Sequence, residues 1–290
     1  MYAADFEYYR AHSVAEAGAL LAQHPGAKLL AGGHSLIPLL KLRLAAPPAV
    51  IDIGRVAELK GISRNGGSLR IGALTTHADV ARSSEVKQHA AALAEAARQI
   101  GDPAVRNRGT VGGNVAHADP ASDLPTVLCA LGASFVMTSP GGERTVSAAD
   151  FFRGLMATAL DDHDLLTAVD VPIPAEGPGY GTAYVKFSHP ASRYAVIGVA
   201  AALIVADGIC RSASVVVGGI QETPVKAAGV ERALVGQALN AEHIDTAARA
   251  VTGDLGDNLL GDIFASGQYR KAVAPVWVRR ALSAAAARVA

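Results

Sequence analysis

The sequence predicts an α+β protein: a small α/β unit, then a mixed unit, then an antiparallel sheet covered by helices. Residues 28–53 read as strand, helix and strand, the pattern of an α/β unit. Glycine turns at Asn65-Gly-Gly67 and Asp207-Gly208 lie between β-rich runs and predict hairpins. Helical periodicity follows over residues 226–238, 241–252 and 268–288. Together these patterns predict three units, over residues 1–54, 55–176 and 177–290.

The composition restricts the class of protein. Half of the 290 residues are apolar and 18% are charged, so the chain can bury a large core. Lys plus Arg and Asp plus Glu both number 26, which gives no electrostatic reason to expect nucleic acid or an acidic membrane. Cys129 and Cys210 are far apart in apolar runs, so neither a disulfide framework nor an iron–sulfur cluster is expected in this chain.

The sequence also predicts the cellular compartment of the protein. The first ten residues lack the basic and apolar regions of a signal peptide. The longest apolar run, residues 195–206, is too short to span a membrane. We therefore expect a cytoplasmic protein, with the inner face of the membrane as an alternative site within that compartment.

In the first unit, a glycine turn connects a strand to a helix. We expect a strand at 28–31, then the turn Gly32-Gly-His-Ser35, then a helix at 36–43. Ser35 is a good N-cap residue, and glycine permits backbone angles and close ligand approach that a side chain would block. The free N–H groups of such a junction form an anion site, most often for phosphate.

The middle unit combines hairpins with short helices. We expect one Ala-rich helix over residues 86–99 and a short helix over residues 123–131, with Asp123 as a candidate N-cap. The boundary to the third unit lies in the loop around Glu176-Gly-Pro-Gly179. Beyond it, three β-rich runs span residues 181–188, 195–206 and 209–219.

A second glycine-rich turn suggests what the first one binds. Gly32-Gly-His-Ser35 alone is explained by a tight turn and a helix cap, but Gly109-Thr-Val-Gly-Gly-Asn114 repeats the pattern. Two turns rich in backbone N–H groups suit a diphosphate, which carries two negative groups. Neither turn matches the dinucleotide-binding fingerprint G-x-G-x-x-G, and no P-loop lysine follows. The ligand must therefore be held by a different fold.

Other catalytic chemistries have little support. His77-Ala-Asp79 and His117-Ala-Asp119 offer imidazoles and carboxylates, but without a third anchored ligand we expect solvated loop residues and no metal. No G-x-S-x-G elbow exists, and Ser35 beside His34 is not a triad signature. Lys186, Arg193 and Tyr194 flank a short loop, where they fit either a cofactor contact or plain surface placement.

Taken together, the chain's motifs resemble the flavoprotein (medium) subunits of molybdenum hydroxylases. The carbon monoxide dehydrogenase type is the nearest group, and the FAD domain of xanthine dehydrogenase is more distant. The matching blocks run in family order: Ala31-Gly-Gly-His-Ser35, Lys41-Leu-Arg-Leu44, Gly72-Ala-Leu-Thr-Thr-His77, Gly101-Asp-Pro103, Val105-Arg-Asn-Arg-Gly-Thr-Val-Gly-Gly-Asn114, Ala118-Asp-Pro-Ala-Ser-Asp-Leu-Pro125, Lys186-Phe-Ser-His-Pro-Ala-Ser-Arg193 and Ala265-Ser-Gly-Gln-Tyr-Arg270.

The resemblance implies a fold and a cofactor site. The first two units would form a PCMH-type FAD-binding fold, and the third a domain like the C-terminal domain of carbon monoxide dehydrogenase flavoproteins. The two glycine turns would hold the FAD pyrophosphate, Asp123 the adenosine side, and Ile100, Lys186 and Tyr194 would approach the ring system. The cofactor-binding residues implied are Ala31, Gly32, Gly33, His34, Ser35, Leu36, Thr76, Ile100, Gly109, Thr110, Gly112, Gly113, Asn114, Asp123, Lys186 and Tyr194.

The resemblance also implies a function and partners. The chain would be the FAD-carrying electron-transfer subunit of an oxidoreductase, receiving electrons from [2Fe-2S] clusters on a small subunit and passing them to an external acceptor. A molybdenum–pterin cofactor would lie on a large subunit, and the assembly would be an (αβγ)2 heterohexamer. No catalytic residue is expected in this chain itself. The alternatives are a flavin-free assembly subunit and a stand-alone FAD-dependent oxidoreductase.

Overall fold

The computed structural model describes residues 2–175 and 179–289. The strands within these ranges are β1 Glu7–Arg10, β2 Lys28–Leu30, β3 Ala49–Asp52, β4 Ile62–Asn65, β5 Ser68–Gly72, β6 Ser134–Ser139, β7 Gly142–Ser147, β8 Phe152–Gly154, β9 Ala157–Thr158, β10 Leu165–Pro172, β11 Gly179–Ser188, β12 Ala195–Ala206, β13 Ile209–Gly218 and β14 Val225–Lys226. The helices are α1 Val14–Gln23, α2 Leu36–Lys41, α3 His77–Arg82, α4 Ser84–His89, α5 Ala91–Gln99, α6 Pro103–Arg106, α7 Val111–His117, α8 Asp123–Ala130, α9 Ala148–Phe151, α10 Ala228–Leu234, α11 Ala241–Arg249, α12 Val251–Asp254 and α13 Gly267–Ala286.

The first sheet is parallel, with strand order β1-β3-β2. Helices α1 and α2 return the chain between its strands, as parallel pairing requires. The predicted strand–helix–strand pattern is confirmed, although α2 ends at Lys41 rather than at residue 43. Strand β1 was not predicted, because this edge strand is mostly exposed and its sequence, Glu-Tyr-Tyr-Arg, lacks an apolar face.

The second sheet is antiparallel, with order β4-β5-β10-β6-β7. The hairpin predicted at Asn65-Gly-Gly67 is confirmed. The single helix predicted over residues 86–99 is wrong: two helices, α4 and α5, meet at Ala90, whose extended φ of −145° interrupts the helix. Leu93 of α5 and Leu128 of α8 share one buried core with Phe135 of this sheet.

The third sheet is also antiparallel, with order β11-β12-β13-β14. Asp207 and Gly208 both have positive φ, which is the geometry of a type I′ hairpin turn and confirms that prediction. The long helix α13 packs on one face of the sheet, and α5 and α8 contact β11 and β12. Because β12 is covered on both faces, nearly all of its residues are buried.

The predicted α+β class is confirmed. Three main sheets follow one another along the chain, each with helices packed against it. The division at residues 54 and 176 remains a prediction, and the loop at residues 176–178 lies outside the described residues. Within the described ranges, no helix is both long enough and apolar enough to cross a membrane.

Candidate functional site

The first glycine turn presents a run of free backbone donors. Gly33 has φ +78°, a left-handed conformation that favours glycine. Among the described residues, the N–H groups of residues 32–36 form no hydrogen bond to another backbone group, whereas the N–H of Ile37 bonds to the Gly33 carbonyl. Ser35 occupies the N-cap position of helix α2, as expected, but its side chain makes no capping hydrogen bond. Consecutive N–H groups without protein partners are available to bind an anion.

The second glycine segment is the start of a helix rather than an open turn. Thr110 caps α7 by accepting a hydrogen bond from the N–H of Gly113 at 3.1 Å. The N–H groups of Val111 and Gly112 bond to backbone carbonyls of Thr75 and Ala73, and that of Asn114 bonds to Thr110. The expectation of a second set of free N–H groups over residues 110–114 is therefore wrong for residues 111–114, whose N–H groups are all bonded. These amides are used to pack α7.

The two glycine segments meet at their backbones. A Cβ atom on Gly32 would lie 2.0 Å from the carbonyl oxygen of Arg108 and 3.0 Å from the Cα of Gly109, so only glycine fits there. A Cβ on Gly113, which is itself exposed, would lie 3.9 Å from the Cβ of Ala31. The structure thus places the free donors of the first segment directly against the second.

Thr76 and His77 connect the second segment to the middle sheet. Thr76 forms an isolated antiparallel bridge with Thr110 and caps helix α3. The backbone N–H of His77 bonds to the carbonyl of Gly109 at 3.0 Å. A Cβ on Gly109 would lie 2.8 Å from the His77 ring, so this glycine allows the imidazole to pack against the backbone.

His77 is a buried residue, which corrects the expectation of a solvated loop histidine. It is 3% exposed, and its Nδ1 atom has no hydrogen-bond partner in the part of the chain that the structure describes. Burial, with smaller contributions from His34 and Arg106, lowers the pKa of His77 to about 4. The ring is therefore neutral at physiological pH. Across the described residues, no group of three His, Cys, Asp or Glu side chains is placed to hold a metal ion.

Asp123 and Lys186 form a buried ion pair. The Lys186 Nζ donates to Asp123 Oδ2 at 2.8 Å, and the Tyr184 hydroxyl donates to the other carboxylate oxygen. Burial raises the pKa of Asp123, against the opposing effects of Lys186 and Tyr184. Asp123 is not the N-cap as expected: Ser122 occupies that position, and Asp123 is the first helical residue of α8.

The Lys186 ammonium also bonds to the carbonyl oxygens of Gln99 at 3.1 Å and Arg193 at 2.8 Å. An ammonium has three N–H donors, so none remains for another acceptor. The expected direct approach of Lys186 to a flavin ring does not match this arrangement. Asp123 is buried and each of its carboxylate oxygens accepts one hydrogen bond, so the expected contact with the adenosine side stays a prediction.

Ile100 and Tyr194 directly follow the two residues whose carbonyls bond to Lys186. Ile100 follows Gln99 at the end of α5, and its carbonyl accepts a hydrogen bond from Arg106. Tyr194 follows Arg193 and is 44% exposed. Burial and the nearby carboxylates of Asp119 and Asp123 raise the pKa of the Tyr194 hydroxyl, so it stays protonated at neutral pH.

A chain of contacts joins these groups into one region. Ser122 donates to the Asn114 side chain at 2.8 Å, which connects α7 to the start of α8 and so to the ion pair. Of the expected residues, Leu36 contributes only as the first residue of α2.

Tyr184 and Gln99 belong to the same region, and neither is among the residues predicted from the sequence. Tyr184 could have been found, because it lies two positions before Lys186 on a strand and therefore faces the same side. Gln99 acts through its backbone carbonyl, which carries no sequence signal.

Comparison with known proteins identifies the family. Residues 4–174 match the model described as the FAD binding domain in molybdopterin dehydrogenase, and residues 182–285 match the CO dehydrogenase flavoprotein C-terminal domain. The carbon monoxide dehydrogenase medium chain of Hydrogenophaga pseudoflava is 40% identical over 288 residues, covering 98% of each chain. The glyceraldehyde dehydrogenase medium chain of Sulfolobus acidocaldarius is 37% identical over 281 residues, covering 97% of this chain and 98% of that one.

The fold comparison agrees. A solved structure of carbon monoxide dehydrogenase from Hydrogenophaga pseudoflava, in a form that lacks the Mo-pyranopterin moiety of its cofactor, superposes with a TM-score of 0.94. It covers all of both chains at 40% identity. The expected family, oxidoreductase class and FAD cofactor are confirmed. This chain belongs to the FAD-binding medium subunits of the molybdenum hydroxylases.

Proposed function

We propose that this chain carries FAD and transfers electrons within a molybdenum hydroxylase complex, from [2Fe-2S] clusters of a small subunit to an external acceptor. The observation that carries the proposal is the run of free N–H groups over residues 32–36, placed against the backbone of Arg108 and Gly109. A run of this kind fits the FAD pyrophosphate. When bound, FAD supplies the ability to accept and donate electrons, and the protein supplies binding and orientation.

The two glycine segments have different roles in this proposal. The N–H groups of residues 32–36 donate hydrogen bonds to the pyrophosphate, and the left-handed conformation of Gly33 shapes this run. Residues 109–114 form a wall in which the N–H groups of Gly109 and of residues 111–114 are already bonded, and the exposed Gly113 keeps that wall open to close approach. The two segments therefore contribute differently. Residues 32–36 donate hydrogen bonds, and residues 109–114 shape the site.

The ion pair has a positioning role in this proposal. Ile100 and Tyr194 pack against the ring system, while Lys186 ties together the backbones of the residues that precede them, Gln99 and Arg193. Asp123 compensates the buried ammonium and is itself held by Tyr184. Neither charged side chain needs to touch the cofactor to set the spacing of the ring site.

We propose partners of the kind that the relatives' names imply. The relatives include medium chains and FAD subunits of named dehydrogenases. A large subunit with a molybdenum–pterin cofactor and a small iron–sulfur subunit would complete an (αβγ)2 heterohexamer with this chain. A cytoplasmic location belongs to the same proposal, and fractionation of cells that express the tagged chain tests it.

Expression of the tagged chain in its native cells, where its partners are present, tests the proposal. Purification through a tag on this chain should yield a ternary complex with about one acid-extractable FAD per medium chain, consistent with one FAD site per flavoprotein subunit. A correctly assembled but flavin-free complex would support the assembly-subunit alternative and refute the proposal. A monomer that retains FAD and oxidises a small substrate alone would support the stand-alone oxidoreductase and refute it equally.

A further inference from the structure

A polar cleft lies between the end of α5 and the loop that joins β11 to β12. It encloses about 430 Å³ and is lined by Arg98, Gln99, Ser188, His189, Pro190 and Arg193. We infer that this cleft binds the anionic group of the external electron acceptor, a small molecule that carries a phosphate or carboxylate. The inference rests on the proposed function, because an acceptor site is needed only if the chain passes electrons on.

The charge of the cleft is positive and uncompensated. Arg98 and Arg193 are both exposed, and neither guanidinium has an ion-pair or hydrogen-bond partner within residues 2–175 and 179–289. None of the residues that line the cleft is acidic. The buried carboxylate of Asp123 is paired with Lys186, whose ammonium bonds to the carbonyls of Gln99 and Arg193. Guanidinium groups recognise phosphate and carboxylate through paired N–H donors.

His189 adds a donor to the same cleft. Its Nδ1 accepts hydrogen bonds from the backbone N–H groups of Ala191 and Ser192, both at 3.2 Å. With Nδ1 acting as the acceptor, the ring proton of the neutral imidazole lies on Nε2. Edge contact with the Phe264 ring, at 4.7 Å between centroids, holds the imidazole in place. The cleft therefore offers two guanidinium groups, an imidazole N–H and the Ser188 hydroxyl to an anion.

The cleft borders the proposed ring site. Gln99 directly precedes Ile100, and Arg193 directly precedes Tyr194. The Lys186 ammonium bonds to the carbonyls of both Gln99 and Arg193, so the two walls of the cleft are tied at a fixed spacing. An acceptor whose anionic group bound here would lie beside the flavin ring. The volume of the cleft falls in the range of small-molecule sites.

Equilibrium dialysis of the FAD-loaded complex against inorganic pyrophosphate tests the site directly, because FAD already fills the diphosphate site. We expect the wild-type complex to bind pyrophosphate and the double variant Arg98→Gln/Arg193→Gln to bind about tenfold more weakly, since charge-assisted hydrogen bonds are lost. Arg153→Gln is the matched control, because Arg153 is exposed on β8. It should bind as the wild type does.

A kinetic measurement tests the link to the acceptor. The complex is reduced with dithionite under anaerobic conditions, and flavin reoxidation is followed with ferricyanide, a trianion, or with ferrocenium, a cation. Each ion takes up one electron, so two are consumed per reduced flavin. We expect the double variant to react about tenfold more slowly with ferricyanide and no more slowly with ferrocenium, because only the anion loses attraction.

Several results would overturn the inference. These are no pyrophosphate binding by the FAD-loaded complex, equal binding by the double variant, or equal slowing with both oxidants. Binding by the isolated chain that disappears on assembly would assign the cleft to a subunit interface and overturn it as well. Flavin content is measured on the same samples. A flavin-free wild type would refute the proposed function, whereas normal flavin without anion binding would refute this inference alone.

Discussion

The ammonium of Lys186 lies 2.8 Å from the carboxylate of Asp123, 63 residues earlier in the sequence, and neither side chain is more than 5% exposed. This pair joins the beginning of α8, the end of α5 and the loop before β12 through one nitrogen atom. A buried ion pair is weak evidence for stability, because desolvation opposes the attraction between its charges. Its value here is geometric, since it fixes the spacing of Ile100 and Tyr194.

Removing one member of this pair should destabilise the chain. Lys186→Met leaves the Asp123 carboxylate buried without its cation, and Asp123→Asn leaves the ammonium without its anion, so each should cost about 3–5 kcal/mol. The double variant Asp123→Leu/Lys186→Met should recover much of that loss, because no uncompensated charge remains. Urea unfolding of the full chain measures all three.

The control is Arg249→Met, which breaks the exposed ion pair with Asp245. It should leave the unfolding midpoint unchanged, since exposed pairs contribute little. If Lys186→Met were as stable as Arg249→Met, the buried pair would not have the positioning role proposed here.

Bulky residues in the glycine segments should abolish FAD retention. Gly33→Val introduces a branched side chain at φ +78° within the run of donors. Gly113→Val projects from the exposed wall toward Ala31, where the Thr110 hydroxyl would also lie 2.8 Å from the new Cβ. Acid-extracted flavin from the assembled complex measures the effect.

Gly18→Val is the matched control, because Gly18 lies in helix α1 with no heavy atom within 4 Å of its Cβ position. It should retain wild-type flavin. Full flavin content in both Gly33→Val and Gly113→Val would exclude these segments from the site.

Tyr194 should affect flavin binding without affecting stability. Its side chain is 44% exposed, so Tyr194→Ala exposes little new core. Loss of aromatic packing against the ring should weaken FAD binding by up to about tenfold, while Tyr194→Phe should bind nearly as the wild type does. Flavin release on dilution of the complex gives the dissociation constant. Tyr2→Ala, at an 89% exposed tyrosine, should be silent, and an equal effect at both positions would rule out a specific ring contact.

The lowered pKa of the buried His77 predicts that the stability of the chain depends on pH. Its pKa is lowered to about 4 in the folded chain, whereas the unfolded chain has the ordinary value of 6.5. Between these values the unfolded state binds the extra proton, so stability is fully present above pH 6.5 and is lost as the pH falls toward 4. The loss between pH 7 and 5 should be about 2 kcal/mol.

Urea unfolding at pH 7 and pH 5 tests this expectation. The change in the free energy of unfolding between the two pH values is determined for each variant, and these changes are compared. His77→Gln should lose most of the pH-dependent difference, while His12→Gln, at an exposed position, should keep it. Identical pH dependence in the His77→Gln chain and the wild type would assign the effect to other groups.

Local chemistry allowed much of the fold to be predicted from the sequence. The Asn65-Gly-Gly67 and Asp207-Gly208 hairpins were predictable because positive φ is a property of the turn residues themselves. The buried run of β12 and the glycine turn at residues 32–33 were also predictable. A continuous apolar run indicates a buried strand, and glycine indicates a backbone conformation that other residues avoid. The family motifs then predicted FAD, which the comparisons confirm.

The tertiary structure decided which of these groups are free to act. The sequence by itself determined the turns and most of the strands and helices. It did not determine that the amides of residues 111–114 are used in packing, or that Asp123 pairs with Lys186 rather than capping a helix. Hydrogen-bond partners distant in sequence consume donors and acceptors, and their approach depends on how whole sheets pack. A glycine can be recognised from the local sequence, but whether its N–H group is free depends on which acceptors the folded chain brings next to it.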